Sequence, residues 1–127
     1  MLVPYVFLIL ATTVFVRVSR ELPHYELIPF WSYRDYFNGT DKTLLQQIIA
    51  NVILFIPVGM LLWKDKSWKA VLIGAGISIT VELLQLITYR GLFEFDDIIH
   101  NTLGVVIGCL IMKWSIKAFR FDKGWKL

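Results

Sequence analysis

The stretch ELLQLITYRGLFEFDDIIHNTLG, from Glu82 to Gly104, says more about the fold than any other part of this 127-residue chain. It begins with a carboxylate and an amide inside one apolar segment, passes through an Arg-Gly turn, and places paired aspartates at the start of a second apolar segment. An ionisable group at membrane depth costs about 2.5–3.5 kcal/mol on insertion scales, and such groups mark functional sites. The stretch therefore predicts two membrane helices with a polar site at their connected ends.

The composition is too apolar for a soluble domain of this size. Hydrophobic residues make up 57% of the chain and charged residues 18%, whereas soluble domains average about 45–50% and about 25%. A small domain cannot bury so much apolar surface in its own core, so a bilayer must cover the rest. We therefore expect one integral membrane domain over residues 1–127. The single cysteine, Cys109, lies in an apolar run without metal-ligand spacing, so we expect neither a metal nor a cofactor.

Four apolar segments predict an all-α integral membrane fold, a four-helix transmembrane bundle. A membrane-spanning helix needs about 20 residues, with about 17 at the short end. The second segment has no charged residue, and the third is interrupted only by Glu82. The first is short and depends on Arg17 reaching the interface. The predicted spans are residues 2–18, 44–63, 70–89 and 98–118.

The distribution of lysine and arginine predicts the orientation of this bundle. The short connection between the second and third spans holds Lys64, Lys66 and Lys69, and the C-terminal tail is also basic. The positive-inside rule puts both on the cytoplasmic side of the plasma membrane, with the N-terminus and the C-terminus inside. Residues 19–43 and 90–97 then face outward. The former is an aromatic-rich outer loop, and we expect it to lie in the interface or to fold back over the bundle.

Helical periodicity gathers the polar residues of three spans into one stripe on each. Glu82 and Gln85 share a face of the third span, Asp97 and Asn101 share a face of the fourth, and Asn51 lies on the second. Polar groups cannot face lipid unsatisfied, so we expect these stripes to meet inside the bundle as an outward-facing polar pocket. The predicted pocket residues are Asn51, Glu82, Gln85, Arg90, Asp97 and Asn101.

Small residues and a proline predict where the helices pack. The spacing of Gly104 and Gly108 permits close approach of another helix, either within the chain or in a homodimer. Pro57 leaves the carbonyl of residue 53 without its helical donor and predicts a kink. With Gly59 beside it, this kink either widens the pocket or is only a structural bend.

The charged residues of the pocket each have a structural and a functional interpretation. Glu82 is either an anchor paired with Arg90 or Arg17, or a site carboxylate with a shifted pKa. One of Asp96 and Asp97 caps the fourth helix, which leaves the other to bind a cation, an amine or a proton. Arg90 either binds a phosphate or pairs with an acid at the helix end.

Five motifs in one order and spacing extend this interpretation to nearly the whole chain. They are IPF at 28–30, NVILFIPVG at 51–59, ELLQ at 82–85, RG at 90–91 and FDDIIHNTLG at 95–104. Together they resemble the VanZ-like family of small bacterial membrane proteins, which is named for a teicoplanin-resistance protein. The chain departs from the family pattern at His100, where an apolar residue is usual. That departure argues against His100 as a site residue, as does the weakness of one histidine with two aspartates as a metal site.

The resemblance implies a contribution to low-level glycopeptide resistance, to teicoplanin in particular, without enzymatic remodelling of the cell-wall precursor. The outer pocket would bind or shield a lipid-linked cell-envelope intermediate or the lipoglycopeptide itself. The implied partners are membrane lipids and these amphiphiles, and not nucleic acid. Two alternatives stay open, a structural or assembly protein and an intramembrane enzyme acting on a lipid-linked substrate. Because the sequence has no recognisable nucleophile motif or phosphate loop, a binding function is favoured over catalysis.

Overall fold

The computed structural model describes residues 1–16, 21–22, 24–64 and 67–122. Arg17, Lys66 and the last five residues of the basic tail lie outside the described residues, so the predictions that rest on them are not addressed further. The helices and strands, in chain order, are α1 (Leu2–Leu10), β1 (His24–Glu26), α2 (Trp31–Phe37), α3 (Leu44–Leu61), α4 (Ser67–Ile87), β2 (Leu92–Glu94) and α5 (Phe95–Asp122). α1 continues directly into a π-helical segment, Ala11–Phe15.

Within the described residues, three helices are long and apolar enough to cross a membrane. They are α3, the Trp68–Ile87 part of α4 and the Phe95–Phe119 part of α5. The first helix, Leu2–Phe15, is apolar but shorter. At 1.5 Å per residue it is about 21 Å long, against about 30 Å for a bilayer hydrocarbon core. The structure therefore has three candidate spans and one shorter apolar helix where the sequence predicted four spans.

The helices alternate in direction. A Cβ added at Gly104 would meet Val52, and one added at Gly108 would meet Ile56, so α5 runs parallel to α3. The bond between Asn101 and Ser78 and the approach of Gly74 to Val105 make α4 antiparallel to α5. Both strands and α2 consequently lie at one end of the bundle, here called the sheet end. The opposite end, here called the lysine end, carries the exposed residues Lys64, Lys69, Lys113 and Lys117.

A short parallel sheet joins the two connections at the sheet end. β1 pairs with β2 so that Tyr25 lies opposite Phe93 and Glu26 lies opposite Glu94. This pairing puts the described residues 24–43 beside residues 90–97 at one end of the bundle, as the alternation of spans predicted. The prediction of an all-helical fold omitted these strands, because three residues each are too few to show a strand periodicity.

The aromatic-rich segment folds back over the bundle. Its helix α2 packs against α3 and buries Ser32. The residue before α2, Phe30, has φ 62° and ψ 19°, a left-handed conformation that is uncommon for a bulky side chain. Such a conformation persists only where surrounding contacts fix it, and those contacts come from α5, as described below.

The tightest packing in the bundle is between α3 and α5, which have the most extensive contact of any two elements. A Cβ added at Gly104 or at Gly108 would overlap the backbone carbonyl of Val52 or of Ile56. Gly59 of α3 lies equally close to the backbone of Val105. The interface between α3 and α5 is here called the glycine seam. The apolar core beside it includes Ile9, Phe55, Val58, Val81 and Val105.

Candidate functional site

Four buried polar side chains lie on the inner faces of α4 and α5. Ser78, Glu82 and Gln85 share one face of α4, and Asn101 faces them from α5; none is more than 3% exposed. This set is here called the polar layer. Asn101 Nδ2 donates to Ser78 Oγ over 2.9 Å, which links the two helices near the middle of α4. The stripes that helical periodicity predicted on these two helices therefore face each other in the bundle.

Glu82 joins the polar layer to the sheet. Its Oε2 accepts a hydrogen bond of 3.0 Å from the backbone N–H of Glu94, the last residue of β2. A bond from a backbone donor holds the connection between α4 and α5 against α4 and satisfies one lone pair of a buried carboxylate. This contact of Glu82 is structural. Of the two arginine partners that the sequence predicted for it, Arg90 bonds to Phe15, as described below, and Arg17 lies outside the described residues.

Two amide oxygens of the polar layer have no hydrogen-bond partner among the described residues. Gln85 Nε2 donates to the carbonyl oxygen of Thr13 over 3.1 Å, yet Gln85 Oε1 is buried and unpartnered. Asn101 Oδ1 is buried and unpartnered in the same way. A buried acceptor without a donor costs about 1–3 kcal/mol. The layer therefore presents acceptor oxygens suited to hydroxyl, amide N–H or ammonium donors.

Asp96 caps α2 from the first turn of α5. It is 1% exposed and accepts hydrogen bonds from the backbone N–H of Phe30, over 2.5 Å, and of Ser32, over 3.1 Å. The hydroxyl of Ser32 also donates to the same carboxylate. These bonds satisfy the N-terminal donors of α2 and hold Phe30 in its left-handed conformation. The sequence predicted a capping aspartate at α5, and the structure shows Asp96 capping a different helix.

Tyr33 and His100 extend this contact between α2 and α5. The hydroxyl of Tyr33 lies 2.8 Å from His100 Nε2, and the two rings meet edge to face with centroids 5.5 Å apart. Burial, together with the negative charge of Asp96, raises the pKa of the Tyr33 hydroxyl. His100 is buried, and its Nδ1 has no hydrogen-bond partner among the described residues. We call Ser32, Tyr33, Asp96 and His100 the α2 cluster.

The sequence interpretation missed most of the α2 cluster. Asp96 and His100 are one helical turn apart and so share a face of α5. That spacing is the signal available in the sequence, and the sequence interpretation considers it only as a weak metal site. In the described part of the chain, no group of three histidine, cysteine, aspartate or glutamate side chains could hold a metal ion.

The remaining predicted pocket residues lie around the polar layer. Arg90 Nη1 donates to the carbonyl oxygen of Phe15 over 3.0 Å, in an exposed contact between the sheet-end termini of α4 and the π-helical segment. Asp97 is half-buried one turn before Asn101 on α5. Asn51 is half-buried on α3, and its side chain makes no hydrogen bond to another described residue. The structure thus brings together Glu82, Gln85 and Asn101 and sets Arg90 on the exposed side of α1 and α4.

Comparison with known proteins identifies a family. A family model described as VanZ/LLP1 matches residues 1–117, a range that includes both strands, α1 to α4 and α5 as far as Lys117. No curated protein and no solved structure matches the chain. The matched range also contains the whole polar layer and the α2 cluster. With its apolar helices and this match, the chain is a membrane protein that belongs to the VanZ/LLP1 family.

Proposed function

We propose that this protein binds the polar part of a cell-envelope amphiphile in its polar layer and thereby contributes to low-level glycopeptide resistance, to teicoplanin in particular. The ligand would be a lipid-linked cell-wall intermediate or the lipoglycopeptide. The observation that carries the proposal is a pair of buried oxygens that have no partner among the described residues, Gln85 Oε1 and Asn101 Oδ1, in the layer that also holds the Glu82 carboxylate. The family named for a teicoplanin-resistance protein supplies the biological context.

The chemistry of the polar layer defines the group that it would accept. Amide oxygens and a carboxylate accept hydrogen bonds, so the ligand must supply hydroxyl, amide N–H or ammonium donors. Saccharides and peptides carry many such donors. A ligand donor that enters a buried site loses its hydrogen bonds to water. This loss is offset only where the site already holds acceptors, as the polar layer does.

The proposed orientation puts the polar layer within reach of these ligands. The lysine end carries exposed Lys64, Lys69, Lys113 and Lys117, and the positive-inside rule places such an end in the cytoplasm. Two of these lysines also lie over tryptophan rings, Lys64 over Trp63 and Lys69 over Trp68, as expected at a membrane interface. The sheet end would then face the outside of a bacterial plasma membrane, where cell-wall intermediates and glycopeptides meet.

The test compares two polar-layer variants with an amide outside the layer. Glu82→Gln keeps an acceptor for the Glu94 amide but removes the charge, and Asn101→Leu removes the unpartnered oxygen. Each should weaken binding of a photoreactive teicoplanin or lipid-linked precursor by about 2- to 10-fold, the effect of one or two hydrogen bonds. Each should also raise teicoplanin susceptibility at normal protein levels. Asn51→Leu is the control and should change neither. Unchanged binding and susceptibility in both layer variants would contradict the proposal.

One observation favours a second function, that of a structural or assembly protein. Glu82 and Asp96 both accept hydrogen bonds from backbone amides, and such bonds serve the fold. Under this alternative, Glu82→Gln would lower the thermal stability and the cellular level of the protein without a change in binding. Measuring the protein level beside susceptibility therefore separates the two functions.

A further inference from the structure

An apolar groove of about 490 Å³ lies between α1 and α4, on the outside of the bundle. Its walls are Val6 and Leu10 of α1 and Ile73, Gly76, Ile77, Thr80 and Val81 of α4. Contact between these helices is concentrated at the π-helical segment, where Gln85 bonds to Thr13. The groove therefore forms on the lysine-end side of that contact, where α1 separates from α4. Gly76 deepens it, because a Cβ added there would have no neighbour within 4 Å.

The lining of the groove suits a hydrocarbon chain. Of the seven lining residues only Thr80 has a polar side-chain atom, and its hydroxyl donates to the carbonyl oxygen of Gly76 over 2.8 Å. From Ile73 to Val81 the groove follows α4 for about 12 Å, centred on the middle of its apolar stretch, Trp68–Ile87. One leaflet of a bilayer hydrocarbon core of about 30 Å is about 15 Å deep, so an acyl chain that starts at the sheet end of α4 reaches the groove as far as about Ile77.

A basic side chain lies at the sheet-end termini of the same two helices. Arg90 bridges from the end of α4 to the carbonyl oxygen of Phe15, the last residue of the π-helical segment. A guanidinium has five N–H donors, and this bond uses one of them. Its partner is a neutral carbonyl, so the contact leaves the arginine charge in place. Arg34, another described arginine at the sheet end, is instead paired with Asp35 over 3.0 Å.

We propose that α1 and α4 form a binding site for an anionic phospholipid, with one acyl chain in the groove and the phosphate held by Arg90. A guanidinium binds phosphate through paired N–H donors, which gives both charge and geometry. Hydrocarbon fills the groove because an empty cleft would forfeit the dispersion contacts of its walls. The site is separate from the polar layer, so it stands or falls independently of the proposed binding of a cell-envelope amphiphile there.

The experiment uses the full chain in nanodiscs that contain phosphatidylglycerol and phosphatidylcholine in equal amounts, with identical acyl chains. Lipids retained after release are counted by native mass spectrometry. The wild-type protein should retain one phosphatidylglycerol in preference to phosphatidylcholine by about fivefold, typical of one basic residue at a membrane surface. Arg90→Gln should abolish the preference, and Arg90→Lys should keep part of it. Gly76→Leu, which fills the groove, should reduce retention of both lipids.

Matched controls separate binding from folding. Lys117→Gln removes a charge at the lysine end, and Leu72→Phe adds bulk to an exposed position of α4 that does not line the groove. Both should retain lipids as the wild type does. Lipid retention is compared only among variants whose thermal stability equals that of the wild type. Retention of the phosphatidylglycerol preference in Arg90→Gln would overturn the proposal. So would normal lipid retention in Gly76→Leu, or a wild-type dimer that Gly76→Leu dissociates, which would assign the groove to a second copy.

Discussion

α5 meets its two main neighbours in opposite ways. Toward α3 it presents Gly104 and Gly108, and the backbones touch, with a side-chain hydrogen bond of 3.3 Å from Cys109 Sγ to the Gly59 carbonyl. Toward α4 it presents Asn101, which bonds to Ser78 in a layer where two oxygens have no partner among the described residues. Close van der Waals packing determines helix association in a membrane, whereas buried polar groups add modest stability. We therefore expect the glycine seam to hold the bundle together and the polar layer to serve the proposed binding function.

The largest loss of stability is expected from Gly108→Leu in the glycine seam. The new side chain would overlap the carbonyl of Ile56 and the backbone of Met60, so the helices must separate. We expect a loss of about 3 kcal/mol or more, because backbone atoms cannot move aside as a side chain can. Folded yield and thermal denaturation in detergent measure this loss.

The matched control for that change is Gly76→Ala on α4. Nothing lies within 4 Å of the added methyl group, and alanine is the better helix former, so stability should hold or rise by up to about 1 kcal/mol. Equal losses in the two variants would show that the effect comes from helix propensity or insertion and not from the seam.

Sequence spacing predicts a close approach at the glycines of α5 and a buried polar stripe, but it does not assign them to different neighbouring helices. The spacing of Gly104 and Gly108 indicates close approach of a helix, and the structure places α3 there within the same chain. The stripes on α4 and α5 face each other because a polar group in a bilayer must find a partner inside the protein. These two inferences depend only on the 3.6-residue repeat and on the solvent, so one sequence sufficed for them.

The contacts at the sheet end could not be read in the same way. Asp96 and Asp97 are adjacent in sequence, and contact with α2 is what distinguishes Asp96. Its partner Ser32 lies 64 residues away in the chain. The partner of Arg90 is the carbonyl of Phe15, 75 residues away, and a backbone atom leaves no trace in residue identity. Both contacts arise from how the connections at the sheet end fold back, which depends on tertiary packing and not on local pattern.

An intermediate effect is expected when Asp96 is replaced by alanine. The change removes three hydrogen bonds to the N-terminus of α2 and leaves buried donors at Ser32. The local loss should be about 2–3 kcal/mol, in the range of hydrogen bonds to a charged group. Hydrogen exchange of the α2 amides should rise while the amides of α3 stay protected. Asp97→Ala is the matched control. If it unprotects α2 equally, the cap is assigned to the wrong aspartate.

The smallest effect, and the most informative about the polar layer, is expected from a double-mutant cycle between Ser78→Ala and Asn101→Leu. Interhelical hydrogen bonds in membranes contribute about 0.6 kcal/mol on average and at most about 1.7 kcal/mol. We expect a coupling in this range, measured from the free energies of unfolding in detergent. Asn101→Leu also removes an unpartnered buried oxygen, which offsets part of the lost bond. The double variant should therefore unfold within about 1 kcal/mol of the wild type, although it lacks the Asn101 oxygen that we propose binds a ligand. A loss as large as that from Gly108→Leu would instead make the polar layer a second structural seam, and the contrast between the two faces of α5 would disappear.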